Sequence, residues 1–91
     1  MNDNLYSREP KQIILYGVTW CSDCVRAKRV LAEMNIEYLE INIDKDSKAA
    51  DFIKEVNGGS RSVPTIIFPD GTVLVEPSNK ELSAKFGSSS K

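Results

Sequence analysis

The hydrophobic pattern of this chain changes its period within a few residues, and that change limits the folds open to it. Residues 13–16 form a short, continuous apolar run rich in β-branched side chains, which is typical of a strand buried on both faces. From Cys24 the apolar residues recur every three or four positions, at Ala27, Leu31 and Met34, which predicts an amphipathic helix of about three turns. A buried strand that leads directly into such a helix favours an α/β fold.

The rest of the chain continues this alternation. Apolar runs predict three more strands at residues 38–43, 65–68 and 72–75, and helical repeats predict two more helices at residues 49–56 and 78–86. Crossover helices favour parallel pairing of the first strands, and the Asp70-Gly71 turn makes the last two antiparallel. We therefore expect the order β-α-β-α-β-β-α, which gives a four-stranded mixed sheet flanked by three helices. Ser78 begins a Ser-x-x-Glu capping box for the last helix.

Length and charge indicate one small globular domain. The chain has 91 residues, of which 41% are apolar, and we predict a single domain over residues 1–87 with a flexible tail over residues 88–91. The 12 Lys and Arg against 13 Asp and Glu give a formal net charge of −1. Because no run of five or six like charges occurs, we predict neither a nucleic-acid nor a membrane partner. Because no secretory signal is visible, we expect a cytoplasmic location. We also expect a monomer.

Two cysteines, Cys21 and Cys24, lie at the predicted junction between the first strand and the first helix. Their spacing lets the two sulfurs meet, so the pair can cycle between dithiol and disulfide. The thiolate is the attacking species, and free N–H groups at a helix start stabilise an anion. Cys21 is therefore predicted to be the nucleophile, and Cys24, on the apolar helix face, to be the resolving thiol. The nearby Asp23 carboxylate disfavours the thiolate but favours the helix.

Histidine is absent from the chain, and this excludes a Cys-His nucleophile. A structural disulfide, or half of a zinc site shared between chains, remains an alternative for the two cysteines, although a bridge this short constrains an unfolded chain little. No metal site is predicted within the chain. Asp44, Asp46 and Asp51 are interpreted as a solvated face.

A second motif precedes the third predicted strand, where Pro64 removes a ladder donor and can adopt a cis bond. A cis bond between Val63 and Pro64 would leave the Val63 backbone N–H and C=O unpaired and pointing outward. An extended peptide or a peptide-like thiol can pair with such groups as an added strand. The segment therefore predicts a substrate platform, provided that it lies beside Cys21.

The motif Cys21-Ser22-Asp23-Cys24 after one apolar strand, with Arg61-Ser62-Val63-Pro64-Thr65 before another, resembles the glutaredoxin branch of the thioredoxin superfamily. Residues 56–65 look most like mycoredoxin-type members. The resemblance covers residues 11–86 and implies a thioredoxin fold with a cis Pro64. It also implies that Cys21 attacks protein disulfides or mixed disulfides with a small thiol such as glutathione or mycothiol, and that Cys24 resolves the product.

The resemblance also suggests which residues bind the substrate. It places the small thiol alongside Val63 and Pro64, and it suggests that Arg61 binds a carboxylate of that ligand. Trp20 and Ser78 are further candidates for binding the substrate. Three of these have simpler interpretations, since Arg61 can be a solvated surface charge, Trp20 can cover the first helix, and Ser78 can be a helix cap alone.

Two departures from the family pattern keep the function open. Val18 stands where many glutathione-using members have a basic residue, and the Gly-Gly pair before the last helix is missing. The leading prediction is an enzyme with no bound cofactor that uses a small thiol as co-substrate and disulfide-containing or thiolated proteins as partners. The alternatives are a thioredoxin-like electron donor recharged by a flavoprotein disulfide reductase, and a carrier of an iron–sulfur cluster bridged across a dimer.

Overall fold

The computed structural model describes residues 6–86. The elements follow in the predicted order, as β1 Ile14–Gly17, α1 Ser22–Glu33, β2 Leu39–Asn42, α2 Ser47–Val56, β3 Thr65–Ile67, β4 Val73–Val75 and α3 Asn79–Lys85. The strands form one sheet in the order β2-β1-β3-β4, so the predicted four-stranded mixed sheet with three helices is confirmed. The predicted tail and the outer limits of the predicted domain lie outside the described residues.

Strand directions follow from where each connection ends. β1 and β2 are parallel, as the α1 crossover predicts. β3 runs antiparallel to β1, with Thr65 opposite Tyr16, so parallel pairing does not extend to the third strand. The α2 connection starts at the carboxyl end of β2. It enters β3 at that same end of the strands, next to the carboxyl end of β1. Two strands pair in parallel only when the connection between them returns to the opposite end of the strands. β4 pairs antiparallel with β3, as the hairpin predicts.

The two faces of the sheet carry separate apolar clusters, because successive side chains of β1 point to opposite sides. One cluster joins the sheet to α2 and includes Ile14, Tyr16, Val18, Ile41, Ile43, Ala49, Phe52, Ile53 and Ile67. The other joins the sheet to α1 and α3 and includes Leu15, Ala27, Val30, Leu31, Ile66, Phe68 and Leu82. Both faces of β1 are thus covered, which fixes its carboxyl end as the rigid support for the cysteines. Among the described residues, no helix is both long and apolar enough to cross a bilayer.

α3 begins with a complete capping box. Ser78 Oγ accepts the Glu81 N–H at 3.0 Å, and Glu81 Oε1 accepts the Ser78 N–H at 2.9 Å. Leu82 is buried against the α1 side of the sheet, and Arg26 Nη2 of α1 donates to Pro77 O at 3.2 Å. These contacts hold the start of α3 close to the first turns of α1.

Replacing Ser78 with alanine is expected to lower the free energy of unfolding by about 0.5–2 kcal/mol, because the Glu81 N–H loses its acceptor. For a domain of this size each kcal/mol shifts the melting temperature by about 4–8 °C. Thermal unfolding followed by circular dichroism measures the change. Ser47→Ala is the matched control, since Ser47 starts α2 but Asp46 is the residue that caps it. Equal losses in both variants would contradict the capping role of Ser78.

Candidate active site

Cys21 is the N-cap of α1, and its sulfur occupies the place that a serine or aspartate oxygen usually takes. Sγ accepts the backbone N–H of Cys24 at 3.1 Å. This bond, together with the free N–H groups of the first helical turn, stabilises negative charge on the sulfur. Cys21 is a half-buried free thiol, so the sulfur of a substrate can approach it.

Cys24 has a different environment on the inner face of α1. Its side chain is fully buried, and this burial raises the pKa of the Cys24 thiol to about 12, with the hydrogen bond to Cys21 adding to the rise. The Cys24 thiol therefore stays protonated near neutral pH. Gly17 of β1 provides the space for its sulfur, since a Cβ on Gly17 would lie 2.9 Å from Cys24 Sγ.

In a Cys21→Ser variant, the alkylation rate of Cys24 by iodoacetamide is expected to keep rising about tenfold per pH unit from roughly pH 8 to pH 10. Burial is the main cause of the raised pKa, and it persists without the Cys21 sulfur. Mass spectrometry of the carbamidomethyl adduct at early times gives the rate at each pH. A free cysteine in a short peptide is the control, and its rate should level off above about pH 8.5. A plateau at the same pH in the protein would contradict the raised pKa.

The segment before β3 comes next to Cys21, as the sequence predicts. The bond between Val63 and Pro64 is cis, and Cys21 Sγ lies 3.9 Å from Val63 O. No group within residues 6–86 accepts the Val63 N–H, so this backbone donor is open to an incoming strand. Pro64 is buried, and its carbonyl oxygen accepts the Glu76 N–H at 2.8 Å. This hydrogen bond connects the Val63–Pro64 segment to the residue that follows β4.

A shallow pocket of about 60 Å³ lies beside Cys21 and is lined by Val18, Trp20, Ile43, Arg61 and Val63. Val18 is only 4% exposed and forms part of the floor, where a basic side chain would have to be buried. Trp20 is 75% exposed, so the interpretation of Trp20 as a cover for the first helix is wrong. The pocket combines apolar walls with one guanidinium at the rim.

Asp44 is the site residue that sequence reasoning missed. Its Oδ1 accepts Arg61 Nη2 at 2.8 Å, and its Oδ2 accepts Trp20 Nε1 at 3.0 Å. The Arg61 guanidinium, and then the Trp20 indole, hold the pKa of Asp44 below its usual range. Asp44 is exposed, as the interpretation of a solvated face expects, but it also pairs with these two site residues, and Asp46 caps α2. The available signal was that Asp44 directly follows the second predicted strand, at residues 38–43.

Two further contacts shape the charges near the cysteines. Asp23 pairs with Arg26 at 3.2 Å on the surface of α1, so its negative charge near Cys21 is partly offset. Within residues 6–86, no three side chains of the types that bind metals come together. The structure assigns the Ser78 hydroxyl to the α3 cap, and a role of Ser78 in binding substrate stays a prediction.

Comparisons with known proteins show the family to which the chain belongs. The glutaredoxin family model matches residues 13–74. The chain is 42% identical over 73 residues to a Mycobacterium tuberculosis H37Rv protein named Putative glutaredoxin Rv3198A, covering 80% of this chain and 87% of that one. It is 36% identical over 73 residues to Mycoredoxin 1 of Corynebacterium glutamicum, covering 80% and 90% of the two chains.

Solved structures give the same answer for the fold. The thioredoxin-like protein BC3987 superposes with a TM-score of 0.71 at 29% identity, over 80% of this chain and 97% of that chain. The glutaredoxin of Archaeoglobus fulgidus superposes with a TM-score of 0.66 at 25% identity, over 80% and 83% of the two chains. This chain therefore belongs to the glutaredoxin family of thiol–disulfide oxidoreductases.

Proposed function

We propose that this protein is a dithiol glutaredoxin that reduces protein disulfides and mixed disulfides with a low-molecular-weight thiol. Cys21 is the nucleophile and Cys24 the resolving thiol. The observation that carries the proposal is the position of the Cys21 sulfur. It accepts the Cys24 N–H at 3.1 Å at the helix start, and it lies 3.9 Å from the Val63 carbonyl oxygen of the open platform.

The reaction begins when the Cys21 thiolate attacks one sulfur of a mixed disulfide between a protein and a small thiol. A new disulfide forms between Cys21 and the small thiol, the old disulfide breaks, and the protein leaves as a thiolate that takes up a proton. In the monothiol route a second small thiol then attacks the adduct, which releases a small-molecule disulfide and regenerates Cys21. Each cycle thus consumes one free small thiol and yields one protein thiol and one small-molecule disulfide.

In the dithiol route Cys24 replaces the second small thiol. The Cys24 thiol loses its proton and attacks the Cys21 sulfur, so that the Cys21–Cys24 disulfide forms and the bound thiol leaves. Because burial raises the pKa of Cys24, this thiol is protonated near neutral pH, and it attacks only after it has lost its proton. Two external thiols, or a flavoprotein reductase, then reduce the internal disulfide.

The binding roles in this proposal follow the geometry of the platform and the pocket. The Val63 N–H and C=O pair with the backbone of the bound thiol, and Pro64 keeps this segment in place. Trp20 offers its exposed ring, and Arg61 offers a cation at the pocket rim. Ser78 uses its oxygen for the helix cap, and no described residue accepts its hydroxyl hydrogen, which leaves that donor for the ligand.

The co-substrate in this proposal is glutathione or mycothiol, and the working place is a reducing compartment such as the cytoplasm, where thiols stay reduced. The protein acts as one chain with no bound cofactor. The second candidate, a thioredoxin-like donor recharged by a flavoprotein reductase, is favoured by the buried Val18 and by the similarity to the thioredoxin-like protein BC3987. A cluster carrier is the third.

The test offers the oxidised protein three reductants separately: glutathione, mycothiol, and a thioredoxin reductase with NADPH. Recovery of free thiols is followed with time. We expect one of the small thiols to reduce the protein fastest. Fastest reduction by the reductase without any small thiol would instead support the second candidate. A brown dimer after anaerobic reconstitution with iron and sulfide would support the third.

A further inference from the structure

The guanidinium at the pocket rim is already occupied by a group of the protein itself. Arg61 Nη2 donates to Asp44 Oδ1 at 2.8 Å, and the two side chains remain 48% and 38% exposed. A guanidinium binds carboxylates through a planar fork of N–H donors. When a substrate carboxylate approaches Arg61, some of the guanidinium N–H donors are therefore already bonded to Asp44. The negative charge of Asp44 also repels the substrate carboxylate.

Asp44 is held in this place by more than Arg61. Trp20 Nε1 donates to the other carboxylate oxygen at 3.0 Å, and Asn42 Oδ1 accepts the Asp44 backbone N–H at 2.8 Å. Ile43, the residue before Asp44, is buried and lines the pocket floor. Because the backbone and both oxygens have partners, the carboxylate is oriented toward Arg61 before any ligand enters.

We infer that Asp44 is a specificity-determining residue that competes with substrate carboxylates for Arg61 and so selects against thiols that need a carboxylate contact at this rim. The inference rests on the proposed function, which places the small thiol in the pocket beside Cys21. Asp44 does not lower the affinity of thiols that are uncharged where they meet Arg61. The pKa of Asp44 lies below its usual range, so the competing charge is present at neutral pH.

The test uses Asp44→Asn, which keeps the size of the side chain and one oxygen acceptor but removes the charge. Two substrates share the same peptide, one as a mixed disulfide with glutathione and the other with 2-mercaptoethanol. Since exposed ion pairs of this kind change affinities about two- to fivefold, we expect KM for the glutathionyl peptide to fall by about that factor. KM for the hydroxyethyl peptide should not change. Asp70→Asn is the matched control, because Asp70 also pairs with a cation, Lys85, at the far end of β3.

A second measurement does not depend on catalysis. The chain has one tryptophan, and Trp20 is bonded to Asp44, so its fluorescence reports binding of S-methylglutathione, which cannot react. Asp44→Asn should lower the dissociation constant about two- to fivefold, and the dimethyl ester of the same compound should show no such gain. If no variant turns over either peptide, the proposed function fails while this titration still tests Asp44.

The results that would overturn the inference are distinct from those that overturn the function. An unchanged or raised KM for the glutathionyl peptide in Asp44→Asn would mean that Asp44 only orients Arg61. An equal fall for both peptides would mean an effect unrelated to the carboxylate. Failure of both wild type and Asp44→Asn to bind S-methylglutathione would remove Arg61 as a carboxylate subsite and Asp44 as its competitor.

Discussion

Replacing Cys21 with serine is expected to reduce the turnover of mixed-disulfide substrates to the uncatalysed background. The Cys21 sulfur is the half-buried thiol at the N-cap of α1, and a serine oxygen can accept the Cys24 N–H in its place, so the helix keeps its cap. A hydroxyl cannot form the disulfide with the substrate on which both routes depend. The measurement is the coupled assay with a peptide mixed disulfide, a small thiol and its reductase.

Cys24→Ser is the matched control for this prediction, because it also removes one sulfur from the pair. It is expected to retain turnover of mixed disulfides, since a second small thiol can resolve the Cys21 adduct. It should lose the reduction of intramolecular protein disulfides, which needs a second cysteine in the enzyme. Residual activity of Cys21→Ser above background, with circular dichroism showing a native fold, would contradict Cys21 as the nucleophile.

The parts of the site that the sequence predicts are those with local signals. The buried run of β1 and the helical repeat from Cys24 are each visible within about ten residues. A strand buried on both faces shows a continuous apolar run, whereas a helix buried on one face shows apolar residues every three or four positions. The pairing of Cys21 with the Val63–Pro64 segment needed more, namely the resemblance to a family in which the two motifs meet. In the fold, Cys21 Sγ lies 3.9 Å from Val63 O.

The parts that the sequence does not predict depend on how the elements are placed. Asp44 is 24 positions from Trp20 and 17 positions from Arg61, and only the order of strands in the sheet brings the three together. The direction of β3 likewise follows from the edge at which α2 ends, which no local pattern records. In the sequence, Gly17 is only the residue after the apolar run 13–16. Its closeness to the Cys24 sulfur depends on the packing of α1 against β1.

Gly17→Ala is expected to lower the free energy of unfolding by about 1–3 kcal/mol, because the added methyl overpacks the core. The new Cβ would lie 2.9 Å from Cys24 Sγ and 3.3 Å from Leu15 Cδ2. Neither backbone can move easily, since Gly17 pairs with Asn42 in β2 and Cys24 donates its N–H to Cys21. The melting temperature should fall by about 4–8 °C per kcal/mol in a domain of this size.

The contact with the Cys24 sulfur can be isolated by a double-mutant cycle. In a Cys24→Ala background the sulfur is gone, so Gly17→Ala should cost less there by about 0.5–3 kcal/mol, the usual range for residues in contact. Chemical denaturation of the four proteins measures both costs. The methyl should also displace the Cys24 sulfur and slow the dithiol route more than the monothiol route, which is not resolved by Cys24. An equal cost in both backgrounds would show that Leu15, not the resolving cysteine, is what requires a glycine at this position of β1.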